Sequence, residues 1–267
     1  MSANVRTAIA VLILLAVGVS ALAIARVPGK AALASATGRA ALQLAVVGAL
    51  VTGVLRAPLA TALFLAVMLT VACGTTVRRL QALHPKVLHV ALACVAGAAA
   101  TVPVVLATGA LPASTRYVLA LSGITLGGTM TACTLAGRRL HDSLLRRRDE
   151  VEGWLALGAT SRQAVVDLVR RSVFEGLVPA LDQTRTVGLV TLPGAFVGAL
   201  AGGATAGSAA RFQLLVLVSL LAAESIAACV LTYLLGAPDT LPETEQERSA
   251  PARAGWWTWP RKREPAP

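Results

Sequence analysis

Long apolar runs separated by short basic clusters organise this chain. Seven runs come close to the roughly 20 apolar residues with which a helix crosses a hydrocarbon core about 30 Å thick. They lie at approximately Thr7 to Ala25, Ala40 to Leu55, Pro58 to Val77, Val87 to Gly109, Tyr117 to Leu135, Thr186 to Gly203 and Phe212 to Leu235. The second is short, and little more than Arg56 and Ala57 separates it from the third. The pattern predicts an all-α, polytopic membrane protein of about seven transmembrane helices.

Composition agrees with the pattern. Of 267 residues, 56% are hydrophobic, only 4% are aromatic and 14% are charged, with a mean hydropathy of +0.71. That apolar surplus exceeds what a water-soluble core uses. The net charge of +11 raises nucleic acid as a partner, but the basic residues fall in clusters between apolar runs, not along one amphipathic face. Basic loops beside a bilayer account for them without nucleic acid. The four cysteines, Cys73, Cys94, Cys133 and Cys229, stand far apart inside apolar runs with no CxxC pair. They read as small hydrophobes, neither disulfides nor a metal site.

Positive charge resists translocation, so the basic residues also predict orientation. Assigned to the eight connecting regions in chain order, the 24 Lys and Arg residues number one, three, one, three, one, nine, one and five. This alternation places the N-terminus outside and the C-terminus in the cytoplasm. ALAIA, ending at Ala25, offers a rival reading of the first run as a cleaved signal peptide. The three-charge loop that follows lies inside only if the span is retained. Residues 1–236 therefore form a transmembrane permease-like domain in a multi-pass cell-membrane protein. The tail, 237–267, is rich in Pro and charge and predicted to be a disordered cytoplasmic segment, with WWTWPRKR able to touch anionic lipid.

The fifth connecting region, about 138–185, is the one long polar segment between spans. Leu140, Leu144, Leu145, Val151, Leu155 and Leu157 recur at helical spacing, with Arg146 to Arg148 and Asp149 to Glu152 on other faces. This predicts an amphipathic helix, a turn and a second helix. Gly158 is a helix stop, and Thr160 or Ser161 caps the helix that follows. Trp154 and Leu155 beside the turn mark a docking surface, against the plainer reading of a solvated connector.

Glu152 and Gly158 stand at the spacing of the Glu and Gly in the EAA loop that ABC-transporter permeases insert into a cleft of their ATPase subunit. The Ile-x-Leu-Pro of that loop is missing, because Leu168, Arg170 and Arg171 stand there. Three longer blocks, GRAALQLAVVGAL at 38–50, EVEGWLALGATSRQAVVDLVRRSV and LVPALDQTRTVGLVTLPG, resemble the signature blocks of the FetB-type (YbbM-like) ABC permease family. Their order agrees over roughly residues 38 to 235. The resemblance implies export of iron or another metal cation, driven by ATP and Mg on a separate ATP-binding subunit, and it implies plant relatives linked to aluminium tolerance. It also implies that Glu152, Trp154, Leu155, Gly158 and Thr160 form the ATPase-coupling loop.

Polar residues within spans need a reason, since a charge at a helix centre costs on the order of 2.5–3.5 kcal/mol by insertion scales. Glu224 lies near the middle of the last run, either as a protonated carboxyl bonded to a neighbouring helix or as a cation or proton site. Gln43 follows Arg39 by one helical turn and can bond across helices. Asp182 and Arg185, three apart, are expected to pair at the cytoplasmic boundary of the sixth span, as an anchor or as a gate. Asp182, Thr184, Thr186 and Thr191 carry the oxygen donors that hard cations prefer, though one carboxylate is a thin site. The metal ligands themselves stay unknown at this level. Pro193 predicts a kink or break, and Gly194, Gly198 and Gly202 form a small-residue stripe for close helix packing, within the subunit or between two copies.

No GxxxxGK[ST] phosphate loop is present, so the chain is expected to be a transporter subunit, probing no ATP chemistry of its own and binding no cofactor. A homodimer in the lipid bilayer is the expected assembly. Two other readings stay open: a secondary transporter coupled through Glu224, and a membrane scaffold whose loop docks a regulatory protein.

Overall fold

The computed structural model describes residues 2–55 and 57–237; the expected tail, apart from Ala237, lies outside them. Nine α-helices and one 3-10 turn form the described chain, with no strand among the described residues. Two compact units divide it, residues 1–64 and 65–267.

The first unit contains α1 (Ala3–Ile24), α2 (Lys30–Val54) and the first turns of α3 (Pro58–Arg79). Ser2 caps α1 by accepting from the Val5 N–H. Gly29, at φ +117, turns the chain into α2, a conformation that only glycine adopts without strain. The α2–α3 turn is closed by the Thr61 hydroxyl, which donates to the Val54 carbonyl at 2.8 Å. None of the apolar window of α1 or α2 is buried within the chain.

The second unit holds the rest of α3, then α4 (Val87–Ala107), α5 (Thr115–Arg146), α6 (Arg148–Ala156), α7 (Ser161–Thr186), α8 (Gly194–Ala201) and α9 (Ala206–Leu235). Its register is set where small residues let backbones touch, because between apolar helices in lipid the attraction is packing, not expulsion of water. A Cβ on Gly97 of α4 would lie 2.5 Å from the Ala223 carbonyl oxygen of α9 and 2.9 Å from Thr129 Cγ2 of α5. On Gly128 of α5 it would run into Leu220 and Glu224 of α9, and on Gly176 of α7 it would meet the Ala136 backbone at 2.8 Å.

These contacts fix helix directions. Tyr117 stacks edge-on against Phe212, Leu121 packs with Val216, Gly128 faces Glu224, and Ala136 packs with Ala228. Residue numbers rise together, so α5 and α9 are parallel. α4 opposes both, with Ala93 and Cys94 in one cluster with Ala227 and Leu231, and Val105 in another with Val216. α7 is also antiparallel to them: Val165 and Leu168 pack with Leu144 and Leu140, Gly176 with Ala136, and Leu177 with Ala228. Hydroxyls inside the bundle are satisfied locally. Those of Thr76, Thr101, Thr125, Ser172 and Thr232 each donate to the carbonyl one turn back.

Six helices among the described residues, α1 to α5 and α9, are long and apolar enough to cross a membrane. Three boundaries differ from the hydropathy reading. α2 starts at Lys30, not near Ala40, and α5 runs on to Arg146, because Lys and Arg are good helix formers that simply end the apolar stretch. The expected span from Thr186 to Gly203 is not one helix: α7 ends at Thr186, and only the eight-residue α8, about 12 Å long, follows. Gly188 at φ +81 and Pro193 as N-cap of α8 break the helix between them.

The packing role of Gly97 is checkable. Gly97→Ala should destabilise the bundle by about 1–3 kcal/mol through overpacking, whereas Gly127→Ala, with nothing within 4 Å of its Cβ, should not. Equal unfolding midpoints of both variants in detergent would contradict the α4–α9 contact.

Candidate functional site

The α6–α7 elbow is built from local chemistry. Arg147, at φ −115 and ψ 30, ends α5 and starts α6. Asp149 and Glu150 sit in the first turn of α6, where the helix dipole favours negative charge. Arg147 pairs with Glu150 at 2.5 Å, and Arg148 Nε donates to Glu152 Oε1 at 2.7 Å. Gly158 then takes φ +91. Its N–H donates to the Leu155 carbonyl, and the Ala159 N–H to the Trp154 carbonyl, both at 3.0 Å. This is a Schellman C-cap, in which glycine supplies the left-handed residue. Thr160 opens α7 with a capping box: its hydroxyl accepts the Gln163 N–H, and Gln163 Oε1 accepts the Thr160 N–H. Such a cap stabilises a helix start by about 1 kcal/mol.

The elbow carries apolar surface outward. Trp154 is 52% exposed, Leu155 38% and Leu157 82%. Beside them lies a cleft of about 470 Å³ lined by Glu150, Trp154, Leu157, Gly158, Gln163 and Asp167 among others. A rigid turn, exposed large apolar side chains and a rim of charge suit a protein partner. The five elbow residues expected from the sequence, Glu152, Trp154, Leu155, Gly158 and Thr160, thus fall on one short segment.

The other candidates do not join them. Gln43 is exposed on α2 in the first unit. Asp182 and Arg185 pair at 3.6 Å with side chains 61% and 71% exposed. They are not at an end of the bundle. Leu181, next to Asp182, packs against the cluster of Ala132 and Ala228, while Val187 shares a cavity with Gln213 and Leu217. The pair therefore lies level with the middle of α9, not at the boundary expected from the sequence. Thr184 and Thr186 donate their hydroxyls to the carbonyls of Ala180 and Asp182. The Thr186 carbonyl accepts N–H groups from Leu189, Val190 and Thr191, so the chain folds back on the end of α7.

Glu224 is buried at the α5–α9 contact, its Oε1 filling the space left by Gly128. Pro193 caps α8, but the glycine stripe does not pack as expected inside the chain. A Cβ on Gly194 or Gly198 would meet nothing within 4 Å, and Gly202 lies past the end of α8. The glycines that do seat helices are Gly97, Gly128 and Gly176; the sequence reading missed all three, although Gly128, Ala132 and Ala136 stand at intervals of four in α5.

Sequence distance also concealed a thiol cluster. Cys73, Cys94 and Cys133 meet in the core between α3, α4 and α5. Among the described residues no group of three or more His, Cys, Asp or Glu is arranged to hold a metal ion. Gln213 was missed as well: it is buried on α9, and its Oε1 has no partner.

Residues 5–237 match the model of the uncharacterised protein family UPF0014. The "UPF0014 membrane protein STAR2" of Oryza sativa subsp. japonica is 35% identical over 202 residues, covering 74% of this chain and 70% of its own. "Protein ALUMINUM SENSITIVE 3" of Arabidopsis thaliana is 32% identical, covering 73% and 72%. The "Probable iron export permease protein FetB" of Escherichia coli (strain K12) is 32% identical over 145 residues, covering 53% of this chain and 56% of its own. No solved structure matches the chain. A family match spanning all nine helices and a bundle of long apolar helices agree, and the chain belongs to UPF0014, as an all-α, multi-pass membrane protein.

Proposed function

We propose that this chain is the permease subunit of an ABC transporter that exports iron or another metal cation from the cell across the plasma membrane. ATP and Mg belong to a separate ATP-binding subunit, and two copies of this chain form the membrane part. The observation that carries this reading is the elbow between α6 and α7. Its Schellman turn at Gly158 and capping box at Thr160 hold Trp154, Leu155 and Leu157 out from the bundle. Such a face suits a chain with no phosphate loop of its own whose transport is driven by a separate ATPase. The name of the Escherichia coli relative, "Probable iron export permease protein FetB", supports the cargo. In this arrangement the elbow is cytoplasmic. Gln43, Asp182, Arg185, Thr186 and Glu224 are pathway or gate positions, and the open glycine face of α8, at Gly194 and Gly198, is where a second copy packs.

The test is reconstitution of the full chain with a cognate ATP-binding subunit, with ATP turnover measured with and without ferrous iron. Metal-stimulated turnover is expected, and Trp154→Asp or Gly158→Asp should abolish the stimulation. Trp154→Ala should weaken subunit binding by about 2 kcal/mol, a loss of ~30-fold in affinity. Unchanged coupling in these variants would refute the elbow as the docking site.

A second reading, ion-coupled secondary transport, draws support from the Glu224 carboxyl, which is buried on α9 against Gly128 of α5. The two readings separate on one measurement. Under the ABC reading, ATP-dependent efflux persists when the proton gradient is collapsed. Under the secondary reading, efflux stops with the gradient.

A further inference from the structure

We propose that α7 and α8 together make one interrupted crossing of the bilayer, and that the charged face of α7 lines a water-filled route for hydrated ions through it. The crossing follows from direction. α5 and α9 are parallel, as the Tyr117–Phe212, Gly128–Glu224 and Ala136–Ala228 contacts establish. α5 therefore leaves the membrane on the side opposite to that on which α9 enters it. The chain between Arg146 and Ala206 has to return across the bilayer once. α6 is a nine-residue helix at the elbow, so α7 and α8 are what remains to do it.

The dimensions agree. From Arg171 to Thr186, α7 rises about 24 Å, and α8 adds about 12 Å. That part of α7 is too short for a core of about 30 Å, and with α8 in series it is long enough. α7 is antiparallel to α5 and α9 throughout, from Val169 beside Gly236 to Val187 beside Leu217. The break at Gly188 to Pro193 consequently lies within the bundle's depth. Three features of the break suit that position. The N–H groups of Leu189, Val190 and Thr191 are folded back on the Thr186 carbonyl, as backbone without water requires. Leu189 and Val190 are 90% and 80% exposed, which suits hydrocarbon. Gln213, buried and with its Oε1 unpartnered, lines an otherwise apolar cavity of about 330 Å³ bounded by Val187, Pro193 and Phe196.

The charge then needs an environment. Arg171, Glu175, Val178, Asp182 and Arg185 recur at intervals of three or four along one side of α7, all exposed. Glu175 pairs with Arg139 of α5 at 3.5 Å and Asp182 with Arg185 at 3.6 Å, both pairs open to the outside of the chain. Exposed charge at bilayer depth faces water or protein, never lipid. Discontinuous helices mark the mid-membrane binding position in many transporters, because their free ends offer unpaired backbone groups there. Assigning the route to cargo rests on the permease reading; the interrupted crossing does not.

Cysteine labelling in native membranes tests both parts, on a Cys229→Ser background because Cys229 is the exposed native thiol. Ala156→Cys at the elbow and Ala204→Cys between α8 and α9 should react with an impermeant maleimide from opposite sides. Reaction from the same side would overturn the crossing. Asp182→Cys, on the charged side of α7, should react with a charged methanethiosulfonate about tenfold faster than Val218→Cys, an exposed apolar site at similar depth on α9. Equal rates would overturn the route, including a seam sealed by a second copy. If Asp182→Cys fails to insert, Val178→Cys reads the same face one turn earlier. Fast labelling with no metal-stimulated ATP turnover would leave the route standing and defeat the permease reading alone.

Discussion

The close approach of α5 and α9 at Gly128 is the constraint on which the rest of the structure depends. With no side chain at 128, Leu220 and Glu224 occupy the surface of α5, and the two helices are held in one register along their length. Any larger residue would push them apart, and in lipid no hydrophobic force would close the gap again. The other contacts use the same device. Gly97 seats α4 on the Ala223 carbonyl, and Gly176 seats α7 on Ala136. Helix directions, the depth of Asp182 and the exposure of the elbow all follow from where these glycines and alanines lie.

Features governed by local chemistry were legible in the sequence. Gly158 as a stop and Thr160 as a cap were readable because each acts on backbone groups within a few residues. The starts of α3 and α4, at Pro58 and Val87, coincide with the predicted boundaries because Pro58 and the His84–Pro85 turn punctuate the chain. Helix ends marked only by a change in hydropathy were not legible. Arg138 and Arg139 ended the apolar run but not α5, since a basic residue leaves the membrane without leaving the helix. Lys30 and Arg39 misled in the same way at the start of α2.

Features that need three dimensions were hidden. Cys73, Cys94 and Cys133 lie on three helices, and nothing in their spacing announces that they meet. The stripe of Gly194, Gly198 and Gly202 announced a packed face, yet it meets no neighbour within the chain. Interval-four glycines describe what a face permits, and the partner decides whether it is used. As a membrane crossing, α7 was hidden for a different reason: its Arg171, Glu175, Asp182 and Arg185 lower its hydropathy, while another side buries Val165, Leu168, Ser172, Gly176 and Leu177. Hydropathy averages over both sides and so reports neither.

One helix joins the two regions that carry the functional argument. α7 starts in the capping box of Thr160 at the elbow and ends at Thr186, where the chain breaks before Pro193. Over its length of about 39 Å it is clamped to α5 and α9 by Leu168, Gly176 and Leu177. Pro179 leaves one carbonyl in the preceding turn without its helical N–H donor, and it sits between the clamped part and the Asp182–Arg185 pair. Tilting at the elbow would load this point first, because the segment beyond it is held by fewer buried side chains: Leu177 is the last fully buried residue of α7. The end bearing the ion pair is thus the part of α7 freest to move relative to α9, and it is joined to the elbow by unbroken helix.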